Sequence, residues 1–229
     1  MKQAPPRASI RRQLSLPLRL SDGFTTLARV YTFNGLVDDR EHLAFGLGER
    51  ATGSRPAEVG GSVALVRLHS ECLTGDAFGS QRCDCGPQLR EAVERIADAG
   101  GYLLYLRQEG RGIGLYSKLD AYALQDTGLD TYEANLALGH AEDERDYTVA
   151  AQMLAALGLR RVALLSNNPD KAAQLSALGI SVVEQVRTGV HLSDANAAYL
   201  ASKVRHAAHT LDLSQGGFRA NGAAIRRKA

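Results

Sequence analysis

The residues of this chain best equipped for chemistry are three cysteines. Cys72, Cys83 and Cys85 lie within fourteen positions, and the rest of the 229 residues contain none. Three thiolates are soft ligands of the kind that suit Zn²⁺. Closed structural zinc sites have four protein ligands, whereas catalytic sites leave one position open. A three-sulfur set leans towards the open kind, in which the ion lowers the pKa of its water. Two plainer readings stand beside it: a structural zinc completed by His69, and three buried thiols with no metal. The odd number fits poorly with a secreted disulfide framework and points to a reducing compartment.

Three further stretches carry chemical potential. Glu109-Gly110-Arg111-Gly112-Ile113-Gly114 follows an apolar run and opens a helix. Its glycines allow close backbone approach, amides at a helix start favour an anion, and Arg107 and Arg111 add donors suited to phosphate. The same pattern also makes an ordinary tight turn, and it is neither a Walker loop nor a full dinucleotide fingerprint. His140-Ala141-Glu142-Asp143-Glu144-Arg145-Asp146-Tyr147 is a solvated, helix-capping face or an arginine held among carboxylates. Ser166-Asn167-Asn168-Pro169-Asp170-Lys171 offers amides, a hydroxyl and a cation for phosphate or base, or is a polar turn.

The surrounding pattern says what must position these groups. Residues 13–20, 25–33, 42–47 and 62–68 read as strands, with turn chemistry at Asp38-Asp39 and Gly60-Gly61. After the cysteines the period becomes helical: Leu89, Val93, Ile96 and Ala97 recur on one face until Gly100-Gly101. Strands at 102–106, 161–165 and 180–186 then alternate with helices from about 114 to 125, at 147–157, 170–177 and 194–210. The expected fold is α/β, with a mixed sheet and flanking helices. An α/β layer packs on an N-terminal part that is mostly antiparallel β. A flexible start at 1–12, one catalytic domain at 13–212 and a disordered tail at 213–229 complete the expected organisation.

Composition closes off other classes. With 27 Lys and Arg against 25 Asp and Glu, the net charge of +2 argues against a general polyanion binder. No window of about eighteen residues is apolar and uncharged, so no membrane span is expected. The first twenty residues are basic and free of acids, as in a transit peptide, but they lack a signal-type apolar run.

Together the motifs resemble a known family. Arg67-Leu68-His69-Ser70-Glu71-Cys72-Leu73-Thr74-Gly75-Asp76, Arg82-Cys83-Asp84-Cys85-Gly86 and Leu106-Arg107-Gln108-Glu109-Gly110-Arg111-Gly112-Ile113-Gly114-Leu115 closely resemble GTP cyclohydrolase II. So do Ala121-Tyr122-Ala123-Leu124-Gln125-Asp126, Asp130-Thr131-Tyr132-Glu133-Ala134-Asn135, Asp143-Glu144-Arg145-Asp146 and Asn167-Asn168-Pro169. The likeness spans roughly residues 62 to 185 and is weak over the first sixty. Ser117 and Ser166 stand where the family commonly has Asn and Thr, and the usual proline near 185–187 is missing.

The resemblance implies hydrolytic opening of the imidazole ring of GTP. Formate and pyrophosphate leave, and the product is a diaminopyrimidine ribosyl phosphate, the first intermediate of riboflavin biosynthesis. It implies one Zn²⁺ per subunit at Cys72, Cys83 and Cys85, Mg²⁺ with the triphosphate, and a cytoplasmic homodimer with no nucleic-acid or membrane partner. Arg145 matches the nucleophile towards the α-phosphate, Asp143 its proton acceptor, and Tyr122 a residue of the ring-opening step. A plain electrostatic role for Arg145 stands beside that one, since a guanidinium holds its proton tightly. Arg67, His69, Ser70, Glu71, Gln88, Glu109, Gly110, Arg111, Thr131, Ser166 and Lys171 match the GTP-binding positions. No dihydroxybutanone phosphate synthase module precedes the matching stretch, so the single-activity form is expected. The alternatives are a paralogue that stops at the formylated intermediate or serves a specialised pathway, a zinc nucleoside deaminase suggested by His69-x-Glu71, and a non-catalytic GTP-binding regulator.

Overall fold

The computed structural model describes residues 6–52, 63–141, 143–193 and 196. Among these, seven strands form a single sheet in the order β1-β2-β3-β5-β4-β6-β7. Strands β1 (Ser9–Arg19), β2 (Thr25–Asn34) and β3 (Leu43–Leu47) run antiparallel, and β3 joins β5 (Gly101–Leu106) in the same sense. From β5 onwards the sheet is parallel, through β4 (Ala64–Ser70), β6 (Arg161–Leu165) and β7 (Ser181–Val186). The mixed α/β fold read from the pattern is the one observed. The antiparallel and parallel parts are not two packed layers, however. They share one sheet, because β3 pairs directly with β5.

The sequence explains this division. β5 is apolar on both faces and β4 on one, its other face carrying Arg67 and His69, and both strands are almost wholly buried, as central parallel strands are. β1 is polar at every second position and exposed along most of its length, as befits an edge. It begins at Ser9, whose partner is Asn34, so residues 9–12 are strand and not the flexible start expected there. The helix and tail expected at 194–210 and 213–229 lie outside the described residues, apart from Asn196 in a turn.

Helices cover both faces. α1 (Glu49–Thr52) and α2 (Leu73–Asp76) are single turns. α3 (Cys85–Ala99) buries Ala92, Val93 and Ile96 against Leu47, Leu65, Leu103 and Leu165. On the opposite face α6 (Thr148–Ala156) and α7 (Pro169–Ala177) pack on the sheet; Val149, Met153, Leu154 and Leu175 meet Val66, Leu68, Leu104 and Leu164. Each fully buried leucine or isoleucine contributes about 1.5–3 kcal/mol relative to exposure. α4 (Leu115–Asp126) and α5 (Thr131–Ala137) lie beyond the carboxyl end of β5.

This topology sets the site. β4, β5 and β6 are parallel and end at Ser70, Leu106 and Leu165, so three consecutive loops leave the sheet on one edge. In open α/β sheets that edge is where ligands bind.

Candidate active site

A single cavity at this edge is lined by sixteen of the seventeen residues the sequence singled out. The exception is Asp143, which stands one step behind, holding Arg145. The cavity has a sulfur end and a cationic end.

The sulfur end is built from the β4–α2 connection and the first turn of α3. The three Sγ atoms all lie within 4.8 Å of one another, and Cys72 and Cys83 approach to 3.6 Å. A tetrahedral zinc with Zn–S distances of about 2.3 Å needs sulfurs about 3.8 Å apart, so the trio fits that ion. Gly75 makes the arrangement sterically possible. A Cβ there would stand 2.8 Å from the Cys83 sulfur and 3.1 Å from that of Cys72. Mutual hydrogen bonding and nearby Lys118 drive the Cys72 thiol far below its usual range. The hydrogen bond with Cys72 pushes Cys83 up to about 11. Cys85, bonded to the same pair and buried, is raised as well. Three thiolates this close would repel one another, a repulsion that a divalent cation would relieve.

His69 is not part of the sulfur cluster. Its Nε2 lies 3.0 Å from both carboxylate oxygens of Asp76, and its ring stacks on Tyr105. Asp76 also accepts from the Cys72 amide at 3.0 Å and the Tyr105 hydroxyl at 2.9 Å. The group with metal-ligand geometry among the described residues is therefore the three sulfurs.

Tyr122 on α4 faces the same end. The Arg82 guanidinium sits 4.5 Å from its ring centroid and the Lys118 ammonium 5.7 Å. Arg82 also pairs with Asp126 at 2.5 Å, fastening the cysteine loop to α4. Burial raises the Tyr122 phenol pKa despite Lys118, so it stays a neutral donor.

The cationic end comes from more distant segments. A 3-10 turn at Glu109–Gly112 places both Gly110 and Arg111 at a φ of 62°. Arginine in that left-handed region costs on the order of 1 kcal/mol. Two contacts hold it there. The Arg111 carbonyl accepts from the Glu144 amide at 3.1 Å, and its guanidinium lies 4.3 Å over the Tyr132 ring. Thr131 opens α5, whose start is fixed by a reciprocal capping box between Asp130 and Glu133.

Residues 143–147 pack against this turn, with Gln108 donating to the Asp146 carbonyl at 2.6 Å and the Glu144 amide to the Arg111 carbonyl. Within the loop, the Arg145 Nε donates to Asp143 at 2.8 and 3.1 Å, and Nη2 makes a further bond to the same carboxylate. Burial opposes the charge on Asp143, but Arg145 wins and holds its pKa below the ordinary value. The carboxylate therefore remains ionised. Both readings of this stretch hold in part: Asp143 clamps Arg145, while exposed Asp146 accepts from the Thr148 amide at 2.6 Å at the start of α6.

The remaining predicted residues complete the wall. Arg67 donates to the Leu165 carbonyl at 3.0 Å and to Gln88 Oε1 at 2.7 Å, while its buried Nε has no partner among the described residues. Burial lowers its pKa, countered by Asp84 and Glu91. Glu71 accepts from Arg107 at 2.8 Å. Ser70 reaches Gln108 at 3.4 Å. Ser166 exchanges bonds with the backbone of Asn168, which caps α7 through Asp170. Lys171 is buried, donates to the Leu68 carbonyl at 2.7 Å and lies 5.5 Å from the Tyr147 ring centroid.

With this geometry in place, comparison with known proteins is informative. GTP cyclohydrolase II, as a family, matches residues 13–187. That is most of the chain. The protein belongs to the GTP cyclohydrolase II family. GTP cyclohydrolase-2 of Vibrio vulnificus is 52% identical over 186 residues, covering 81% of this chain and 90% of its own length. GTP cyclohydrolase-2 of Vibrio cholerae is 51% identical over 186 residues with the same coverage. Riboflavin biosynthesis protein RibBA of Bacillus velezensis is 51% identical over 184 residues, which are 80% of this chain but 44% of that protein. The GTP cyclohydrolase II match begins at residue 13, well before the stretch in which the motifs are dense. β1 and β2 thus belong to the family domain even though they bring no side chain into the cavity.

Lys118 and Thr188 also line the cavity and lie outside every motif read from the sequence, while Tyr132, Asn135 and Asn167 line it from within motifs that gave them no role of their own. A signal existed for α5, since Asp130-x-x-Glu133 is a helix-start signature. Lys118 had none, because a lysine on an amphipathic helix reads as a solvated residue.

Proposed function

We propose that this chain hydrolyses GTP at two places, opening the imidazole ring with loss of C8 as formate and cleaving the α–β phosphoanhydride with loss of pyrophosphate. The product is the diaminopyrimidine ribosyl phosphate that begins riboflavin biosynthesis. One observation carries the reading: a metal-ready sulfur trio and a carboxylate-clamped arginine face a single cavity. Family membership supplies the substrate class.

In this reading the base lies towards the sulfur end and the triphosphate towards the cationic end. Zinc held by Cys72, Cys83 and Cys85 would supply Lewis acidity towards water and the C8 atom. Tyr122, a neutral donor beside that centre, orients water or purine during ring opening. His69, Ser70 and Glu71 at the end of β4, and Gln88 on α3, contact the base and ribose. Arg67, Arg111 and Lys171 oppose the charge of the phosphates, and Mg²⁺ would neutralise part of it. Glu109, Gly110 and Thr131 fix the phosphate turn, and Ser166 adds a hydroxyl at the start of α7.

Asp143 keeps the Arg145 guanidinium aimed at the α-phosphate and remains ionised, so that it takes the proton Arg145 loses as its nitrogen bonds to the α-phosphorus and pyrophosphate leaves; water then cleaves that P–N bond. The plain electrostatic role, in which Arg145 keeps its proton, is worth about 10²–10³ in rate.

The assembly and its setting belong to the same proposal. β1 leaves a long edge with Leu14 and Leu16 partly exposed, which supports a homodimer. Three free cysteines support the cytoplasm, where thiols stay reduced. No helix among the described residues is long and apolar enough to cross a membrane. The near-zero net charge favours GTP alone over nucleic acid as partner.

The test is product identification by mass after incubation with GTP, Zn²⁺ and Mg²⁺. Formate, pyrophosphate and the deformylated pyrimidine are expected. A formylated product would restrict the activity to the first half, and ammonia without formate would replace it with deamination.

A further inference from the structure

Lys118 is a buried cation that neither the motif reading nor the proposed catalytic roles use. It projects from α4 towards the sulfur trio, and its Nζ has three near partners. It lies 3.1 Å from the Cys72 sulfur, 2.8 Å from Glu109 Oε1 and 3.0 Å from Thr74 Oγ1. Glu109 is itself anchored, accepting from the Leu73 amide at 2.7 Å and from the Gly110 amide at 3.0 Å. A single ammonium thus touches the metal-ready cluster, the first residue of the phosphate turn and the α2 turn between them.

We propose that Lys118 is a positioning residue that donates to the Cys72 sulfur of the metal centre and, through Glu109, holds that centre in register with the phosphate turn. This rests on the reading that the three sulfurs hold a divalent ion.

The physical argument is one of charge. Three thiolates around a divalent ion leave a surplus negative charge in a place that water reaches poorly. A buried surplus charge is costly unless it is paired. Glu109 adds a second negative group, but two backbone amides share its charge, and Lys118 stands between it and the sulfur. Burial disfavours the ammonium, and its close contacts with Glu109 at 2.8 Å and Cys72 at 3.1 Å offset that cost. A hydrogen bond from N–H to a metal-bound sulfur also lowers the energy of the sulfur donor electrons. Partners of this kind outside the ligand set typically change metal affinity by about 10–100-fold.

The experiment compares Lys118→Gln and Lys118→Arg with the wild-type protein. Glutamine keeps polar contacts for Glu109 and Thr74 but removes the charge; arginine restores charge and N–H donors. Zinc affinity is measured by competition with a chelator, and the sulfur-to-metal charge-transfer band is recorded after replacing zinc with Co²⁺. The Gln variant is expected to bind zinc about tenfold more weakly, with its Co²⁺ band at longer wavelength. The Arg variant is expected to recover most of both losses.

A Gln variant equal to wild type in affinity and spectrum overturns the proposal. So does an Arg variant no better than the Gln variant, since that would mark Lys118 as mere packing. Wild-type protein that binds neither zinc nor cobalt would instead overturn the metal reading on which this one stands.

Discussion

The two ends of the cavity are built in different ways. The sulfur end is compact in sequence: its three cysteines and Gly75 fall within fourteen residues and interlock tightly, with Cβ space denied at Gly75. The cationic end gathers Arg67, Arg111, Arg145 and Lys171 from four separate segments, each held by a different partner. In the proposed reading, chemistry that needs a fixed ligand polyhedron sits on two adjoining segments close in sequence, and recognition of an extended polyanion is spread over several loops at the sheet edge, where charge can be arranged along its length. The lesson is that the two bond cleavages should be separable by mutation, although they share one cavity.

The sharpest way to break that division is Cys83→Ser. Formate release is expected to fall about a thousandfold or more with loss of bound zinc, while pyrophosphate release falls much less. Formate at the wild-type rate would remove the metal from the account. Arg145→Ala is the mirror experiment, expected to lower pyrophosphate release by about 10²–10³-fold with zinc content unchanged. Unaltered pyrophosphate kinetics would sink the role given to the Asp143–Arg145 pair. Tyr122→Phe sharpens the comparison further. Ring opening is expected to slow by about a hundredfold, more than phosphoanhydride cleavage, and equal losses would count against its assignment to the sulfur end.

Gly75→Ala probes the rigidity of that end. The new methyl must displace a sulfur, so zinc should bind about tenfold more weakly in chelator competition, with phosphate-side rates nearly unchanged. Equal affinity would show that the turn yields easily. The smallest effect on catalysis is expected away from the cavity, at Glu91. Burial opposes its charge, but His191, the Gly189 amide and Arg95 hold its pKa down to about 2. A depressed carboxylate stabilises the fold fully above its unfolded pKa of about 4.3, and that contribution is lost as pH falls towards 2. Glu91→Gln should therefore flatten the acid side of the stability profile by no more than about 2 kcal/mol, given its partial contact with solvent. A profile as steep as wild type would reject that pairing.

The same contrast explains what was legible in the sequence. The cysteines announced themselves because their ligand chemistry is local. The parallel strands β5 and β6 were readable because burial on both faces leaves continuous apolar runs, and β4 through its apolar start at 64–66. The order of strands was not. That β3 pairs with β5 and not β4 depends on hydrogen bonds between segments more than fifty residues apart. Arg111 was visible as a candidate, but its partner Tyr132 lies on a helix missed because its seven residues carry no clear apolar period. Lys118 was hidden for a physical reason: periodicity reports which face is apolar, and a cation buried by a sulfur and a carboxylate breaks that rule.

The central claim is that one cavity performs both cleavages on one substrate. Its most direct test is a single-turnover reaction of the zinc-loaded wild-type protein with GTP and Mg²⁺, counting formate and pyrophosphate per molecule consumed. Equal amounts of the two, each matching the GTP lost, are predicted. Pyrophosphate without formate, or bound GTP recovered intact, would contradict it.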